Sequence, residues 1–123
     1  MKIIATEKAP GAIGPYSQGY AANGFVYTSG QLGIDAETGK YEDCIKWQTE
    51  KSCQNVKAIL EEAGSGLDKV VKTTCFLADM NDFAAFNEVY AKYFTSKPAR
   101  STVAVKTLPK NMLCEIEAIA IIE

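Results

Sequence analysis

Arg100 is the only arginine in the chain; the other twelve cationic side chains are lysines. It follows Pro98-Ala99 at the mouth of a β-branched run. A planar guanidinium there can grip a carboxylate through two parallel hydrogen bonds. The chain has no histidine. That removes Ser-His-Asp and Cys-His nucleophilic mechanisms, His-containing zinc sites and imidazole proton shuttles. Proton transfer must fall to Asp, Glu, Lys, Tyr, Cys or water. Glu115 and Glu117 alternate at the start of an apolar strand, where a half-buried carboxylate can hold a water and exchange a proton with it. Tyr16 follows the rigid Gly14-Pro15 turn and offers a hydroxyl and a ring wall. Ser29-Gly30 ends a strand with small residues that let a ligand approach the backbone. Position alone leaves plainer roles open: a surface ion pair for Arg100, a solvated strand end for the glutamates, a rim tyrosine, a β-bulge at Gly30. If the strand after Arg100 and the strand from Glu115 formed a tight hairpin, the two side chains would lie several residues apart. They could then share a pocket only through a different connection or through a second subunit.

Charge and cysteine usage narrow the classes further. Thirteen cationic against fifteen acidic residues give a net charge of -2, so nucleic acid is not an expected partner. No phosphate-cradling glycine motif is present. No apolar stretch is long enough for a membrane span, and the N-terminus has no signal-peptide core, so the expected location is cytoplasmic. Cys44, Cys53, Cys75 and Cys114 form no Cys-x-x-Cys pair, so reduced and mostly buried thiols are expected rather than a metal site.

The elements that must position these groups fit one domain over residues 1–123. Lys2–Thr6 reads as a first strand. Ser17–Ala22 and Phe25–Ser29 flank Asn23-Gly24, the dipeptide of a type I′ hairpin. Asp43–Ala63 reads as a helix with Ile45, Cys53, Val56, Ile59, Leu60 and Ala63 on one stripe, stopped by Gly64. Val70–Ala78 is a β-branched strand. Asn81 or Asp82 can cap a second helix with Phe83, Phe86, Tyr90 and Phe94 as its apolar, core-facing side. Trp47 is expected in the core or an interface. Ser101–Val105 and Glu115–Ile122 complete the order β-β-β-α-β-α-β-β. The simplest packing is an α+β fold with both helices on one face of a sheet. The last strand is apolar on both faces, so the uncovered face calls for another subunit.

At these residues the chain resembles the RidA/YjgF family, also called the L-PSP endoribonuclease family. The resemblance lies in Ala9-Pro-Gly-Ala-Ile-Gly-Pro-Tyr16-Ser-Gln-Gly19, Tyr27-Thr-Ser-Gly-Gln31, Asn55-Val-Lys-Ala-Ile-Leu-Glu-Glu-Ala-Gly64, Val71-Lys-Thr-Thr, Phe86-Asn-Glu-Val-Tyr90, Pro98-Ala-Arg-Ser101, Leu108-Pro-Lys110 and Glu115-Ile-Glu-Ala-Ile119, in family order along the whole chain. It implies a chorismate-mutase-like mixed sheet and a homotrimer whose sheets form a central barrel, with clefts between subunits.

The resemblance is to the family's deaminase branch. It implies hydrolysis of 2-imino acids and their enamine tautomers, released by pyridoxal-phosphate-dependent dehydratases, to 2-keto acids and ammonia. No cofactor and no metal are implied. Arg100 matches the carboxylate clamp, Glu115 the residue that positions water, and Tyr16 the pocket tyrosine. Ser29 and Gly30 match cleft residues, and Asn87 and Pro109 match positions that shape the pocket. Many members carry Cys two residues after the arginine; here it is Thr102, so a thiol step is absent at that substrate-side position. The segment before Pro98 is also shorter than in many members. Two alternatives stay open: a non-catalytic or regulatory module binding small carboxylates in the same clefts, and a ribonuclease, which the acidic composition disfavours.

Overall fold

The computed structural model describes residues 1–123. The chain runs β1 (Lys2–Ile4), β2 (Gly19–Ala22), β3 (Phe25–Thr28), β4 (Gln31–Leu32), α1 (Ile45–Glu62), β5 (Val70–Leu77), α2 (Phe83–Tyr93), β6 (Ala99–Ala104) and β7 (Cys114–Ile121). One mixed sheet has the order β1-β2-β3-β7-β5-β6, with β4 also pairing β7. Both helices pack on the same face, giving the expected α+β class. No helix is long and apolar enough to cross a membrane.

The last strand occupies the middle of the sheet. β6 runs parallel to β5, from Lys72↔Ala99 to Leu77↔Ala104, which requires the α2 crossover between them. β7 then inserts antiparallel between β3 and β5. The tight hairpin considered from the sequence does not form. Alternation along β7 sends Cys114, Ile116, Ala118 and Ala120 into the helix-covered core. The opposite face carries Ile3, Tyr20, Phe25, Tyr27 and Val103, each between 37% and 60% exposed.

Local signals hold at several points. Asn23 and Gly24 both have positive φ, 53° and 80°, as a type I′ turn demands. Gly64 follows α1 at φ 84°, the left-handed stop that glycine favours. Cys53, Cys75 and Cys114 are buried and Cys44 is exposed, all as free thiols. Other signals are displaced. Asp79, not Asn81 or Asp82, supplies the capping oxygen ahead of α2, accepting from the Asn81 amide at 2.8 Å; Asp82 makes no side-chain cap. Trp47 is half-buried outside the core, with the Lys51 ammonium 5.4 Å from its ring centre.

The buried side of α1 is half polar. Val56, Ile59 and Leu60 face the sheet, and Gln48, Thr49, Ser52 and Asn55 are buried beside them. Ser52 Oγ donates to the Gln31 carbonyl at 2.6 Å. Asn55 Nδ2 donates to the carbonyls of Leu32 and Ile34, and Gln48 Oε1 accepts from the Leu113 amide at 2.8 Å. The bonds to Gln31, Leu32 and Ile34 satisfy backbone groups in and just after the two-residue strand β4, and the bond from Leu113 holds the entry to β7. They press residues 31–34 onto the helix so closely that a Cβ on Gly33 would clash with the Gln48 carbonyl oxygen. That neighbour is helix backbone and cannot swing aside. Gly33→Ala is therefore expected to lower the unfolding free energy by roughly 1–3 kcal/mol, the usual cost of overpacking, measured by urea denaturation. Gly11→Ala, where a Cβ meets nothing, serves as the control.

Candidate functional site

A cavity of about 760 Å³ opens beside the start of β7, and its lining includes Tyr16, Ser29, Gly30, Pro109 and Glu115. A register break creates it. Tyr27 pairs with Ile119 and Gln31 with Ile116, so four steps along the β3–β4 edge face three along β7. The extra residue is a bulge at Ser29-Gly30. Thr28 Oγ1 accepts from the Ala118 amide at 3.0 Å and patches the interrupted ladder. The Glu115 carboxyl fills the slot that this break opens. A Cβ on Gly30 would lie 2.7 Å from Glu115 Cδ, so the glycine is required for the carboxylate to lie there.

Burial, and secondarily the charge of Glu117, pushes the Glu115 carboxyl above its ordinary value. The two ion pairs of the chain, Lys46–Glu88 and Lys51–Asp35, do not involve it. Ser29 lines the cavity, but its hydroxyl is spent on the Ser17 carbonyl at 2.6 Å; it ties the Tyr16 loop to the strand. Tyr16 is exposed at the rim, with its hydroxyl 3.4 Å from the Ile13 amide. Pro109 opens the wall that ends in Lys110 and Asn111, both left-handed at φ 58° and 54°.

Arg100 and Asn87 lie elsewhere, in a second hollow between α2 and the edge strand β6. Arg100 pairs with Thr73 of β5, and Thr73 pairs with Ala118 of β7. Paired residues share a face and successive residues alternate. Glu115 is three positions from Ala118, an odd number, so its side chain faces away from the helices while that of Arg100 faces them. Arg100 Nη1 donates to Asn87 Oδ1 at 2.8 Å, and no carboxylate pairs with it. The sequence-expected site residues thus form two groups on opposite faces of one sheet.

With the geometry in view, residues 6–122 match the family described as Endoribonuclease L-PSP. The chain belongs to that family. It is 54% identical over 121 residues to a RutC family protein of Pyrococcus abyssi, covering 97% of this chain and 95% of that one. It is 49% identical to the 2-iminobutanoate/2-iminopropanoate deaminase of Salmonella typhimurium, covering 98% and 97%. The crystal structure of Escherichia coli TdcF with bound serine superposes with a TM-score of 0.96 at 45% identity, over the whole of both chains.

In this L-PSP family chain Thr102 lies opposite Cys75, on the face of Arg100. Thr102 lines neither hollow, and its buried hydroxyl finds no hydrogen-bond partner. The thiol beside it is pushed up to about 11 by burial. Hydrophobic periodicity did not flag Gln18, whose buried amide bonds Thr6, Ala9 and Pro10 and anchors the cavity wall. Its place in the family segment ending at Gly19 was the available signal.

The raised Glu115 carboxyl has a stability consequence with a definite sign. The folded state holds the proton more tightly than the unfolded state, so stability falls as pH rises from the unfolded value, near 4.5, through the higher folded value. Glu115→Gln should therefore unfold at higher denaturant than wild type at pH 7. The gain should shrink towards zero as the pH is lowered below 4.5, read from urea midpoints across pH.

Proposed function

We propose that the protein is a 2-iminobutanoate/2-iminopropanoate deaminase, hydrolysing reactive imine and enamine intermediates, and that it works as a homotrimer with sites between subunits. The observation that carries the reading is a pair of unneutralised, half-buried opposite charges, Arg100 and Glu115. A 2-imino acid carries a carboxylate at one end and a protonated imine at the adjacent carbon, so its two ends complement these two groups. The serine bound to TdcF likewise carries a carboxylate beside a cationic nitrogen. Because the two groups face opposite sides of one chain's sheet, a ligand bridging them takes Arg100 from one copy and Glu115 from another. The exposed apolar face supplies a surface for such an assembly.

The chemistry suits these groups. The iminium carbon is already electrophilic. Arg100 fixes the carboxylate and so the orientation of the carbon. Glu115 takes a proton from the attacking water as the C–O bond forms and returns it to nitrogen; as the C–N bond breaks and the carbonyl forms, it takes the remaining hydroxyl proton and passes it to the departing ammonia. The products are the 2-keto acid and ammonium; only water is consumed. An enamine first takes a proton at carbon to become the imine. Tyr16, Gly30 and Pro109 shape the cavity around the reacting end, and Asn87 steadies the clamp.

The test couples a threonine dehydratase to this protein with semicarbazide competing for the imine. Wild type should divert the imine to 2-ketobutyrate and suppress the semicarbazone. Arg100→Ala should lose at least about a hundredfold of that rate, the scale on which a lost charged anchor acts through orientation. Equal rates for the two proteins would refute the role of Arg100, and ligand binding with no turnover by wild type would make the site a binding module.

A further inference from the structure

We infer that Phe83 and Tyr90 are positioning residues, an aromatic cradle that holds the Arg100 guanidinium in its ligand-binding orientation. The inference rests on the assignment of Arg100 as the carboxylate clamp. Phe83, Asn87 and Tyr90 recur at i, i+4 and i+7 on α2, a spacing that puts all three on one face. All three meet the same guanidinium. Arg100 Cζ lies 4.8 Å from the Tyr90 ring centre and 5.4 Å from that of Phe83, within the range of cation–π attraction. Asn87 takes one hydrogen bond.

The choice of neutral partners has a chemical consequence. An arginine has five N–H donors. A carboxylate neighbour would occupy two of them and cancel the charge that an anionic ligand must feel. Aromatic rings attract the cation through their π-electrons and leave the donors free. The cradle is itself fixed to the sheet. The Tyr90 hydroxyl bonds Thr73 Oγ1 at 2.7 Å, and Thr73 is the β5 residue paired with Arg100. Tyr90 also stacks on Phe94, with ring centres 4.4 Å apart. Helix, neighbouring strand and clamp thus form one rigid unit. Core packing alone explains Phe86 and Phe94. Phe83 also packs against the core, and its partly exposed ring lies against the guanidinium.

The test separates the ring from the fold. Phe83→Leu and Tyr90→Leu delete a ring, whereas Phe83→Tyr and Tyr90→Phe keep it. Affinity for 2-ketobutyrate, a stable carboxylate that resembles the substrate, is measured by calorimetry on the assembled protein, with the melting temperature of each variant. Each leucine variant should bind roughly two- to fivefold more weakly, the scale of one cation–π contact; Phe83→Tyr should bind like wild type, and Tyr90→Phe, which keeps the ring but loses the Thr73 bond, should bind more tightly than Tyr90→Leu. Tyr90 is buried, so if Tyr90→Leu fails to fold, the partly exposed Phe83 pair decides alone. Leucine variants that bind like wild type, or ring-keeping variants as weak as the leucine ones, would overturn the cradle. Arg100→Ala is run alongside. If it binds as tightly as wild type, the clamp assignment fails; if it loses binding while Phe83→Leu keeps it, only the cradle fails.

Discussion

In a β-sheet the side chains alternate faces at every residue, and hydrogen-bond register transmits that alternation from strand to strand. Register carries Arg100 across Thr73 to Ala118, three places from Glu115. The strongest cation for carboxylate binding and the half-buried carboxylate are thereby held on opposite sides of a sheet that also separates them by a strand. No rotamer brings them together without breaking the ladder. The proposed function builds on this geometry: each chain would offer one half of a site at its β6 edge and the other half beside β7, a second copy would complete it, and the apolar face opposite the helices would be the contact surface.

Each half is prepared by a different physical device. The Glu115 half depends on one extra residue at Ser29-Gly30, which opens the β3–β4 edge, and on the absence of a side chain at Gly30. The broken ladder leaves backbone groups to be satisfied. Thr28 serves one of them, and the polar face of α1 serves others through Ser52 and Asn55, while its Gln48 holds the Leu113 amide before β7. Buried hydrogen bonds each contribute only about 1 kcal/mol net, but leaving one unmade costs more, so this polar face fixes where β4 lies. The Arg100 half depends on a helix that offers neutral partners. Both halves retain unneutralised charge, which is unfavourable for the isolated fold and useful to a ligand carrying the opposite charges.

The sequence made local features readable and long-range ones obscure. Asn23-Gly24, Gly64 and the alternation of Glu115–Ile122 announce a turn, a helix stop and a strand through backbone and packing preferences of a few adjacent residues. The matching motifs from Ala9 to Ile119 identified the family. Strand β4 was illegible because two residues carry no period. The polar side of α1 was illegible because its partners are main-chain groups far off in the chain, from Gln31 to Ile34 and at Leu113, which hydrophobic spacing does not register. The central position of β7 and the opposite facing of Arg100 and Glu115 depend on pairings between strands far apart in the chain. Asp79 displaced the expected caps because a short 3-10 turn, Met80–Asp82, precedes α2.

The most direct measurement mixes two inactive proteins. Arg100→Ala and Glu115→Gln chains are co-expressed with different tags, the mixed oligomers are purified, and imine hydrolysis is followed in the dehydratase-coupled assay. Sites shared between neighbouring copies pair an intact Arg100 from one chain with an intact Glu115 from the other at about one in three interfaces of every mixed trimer. Activity should therefore return to roughly that fraction of wild type. Mixed oligomers as inactive as their parents would contradict the shared site.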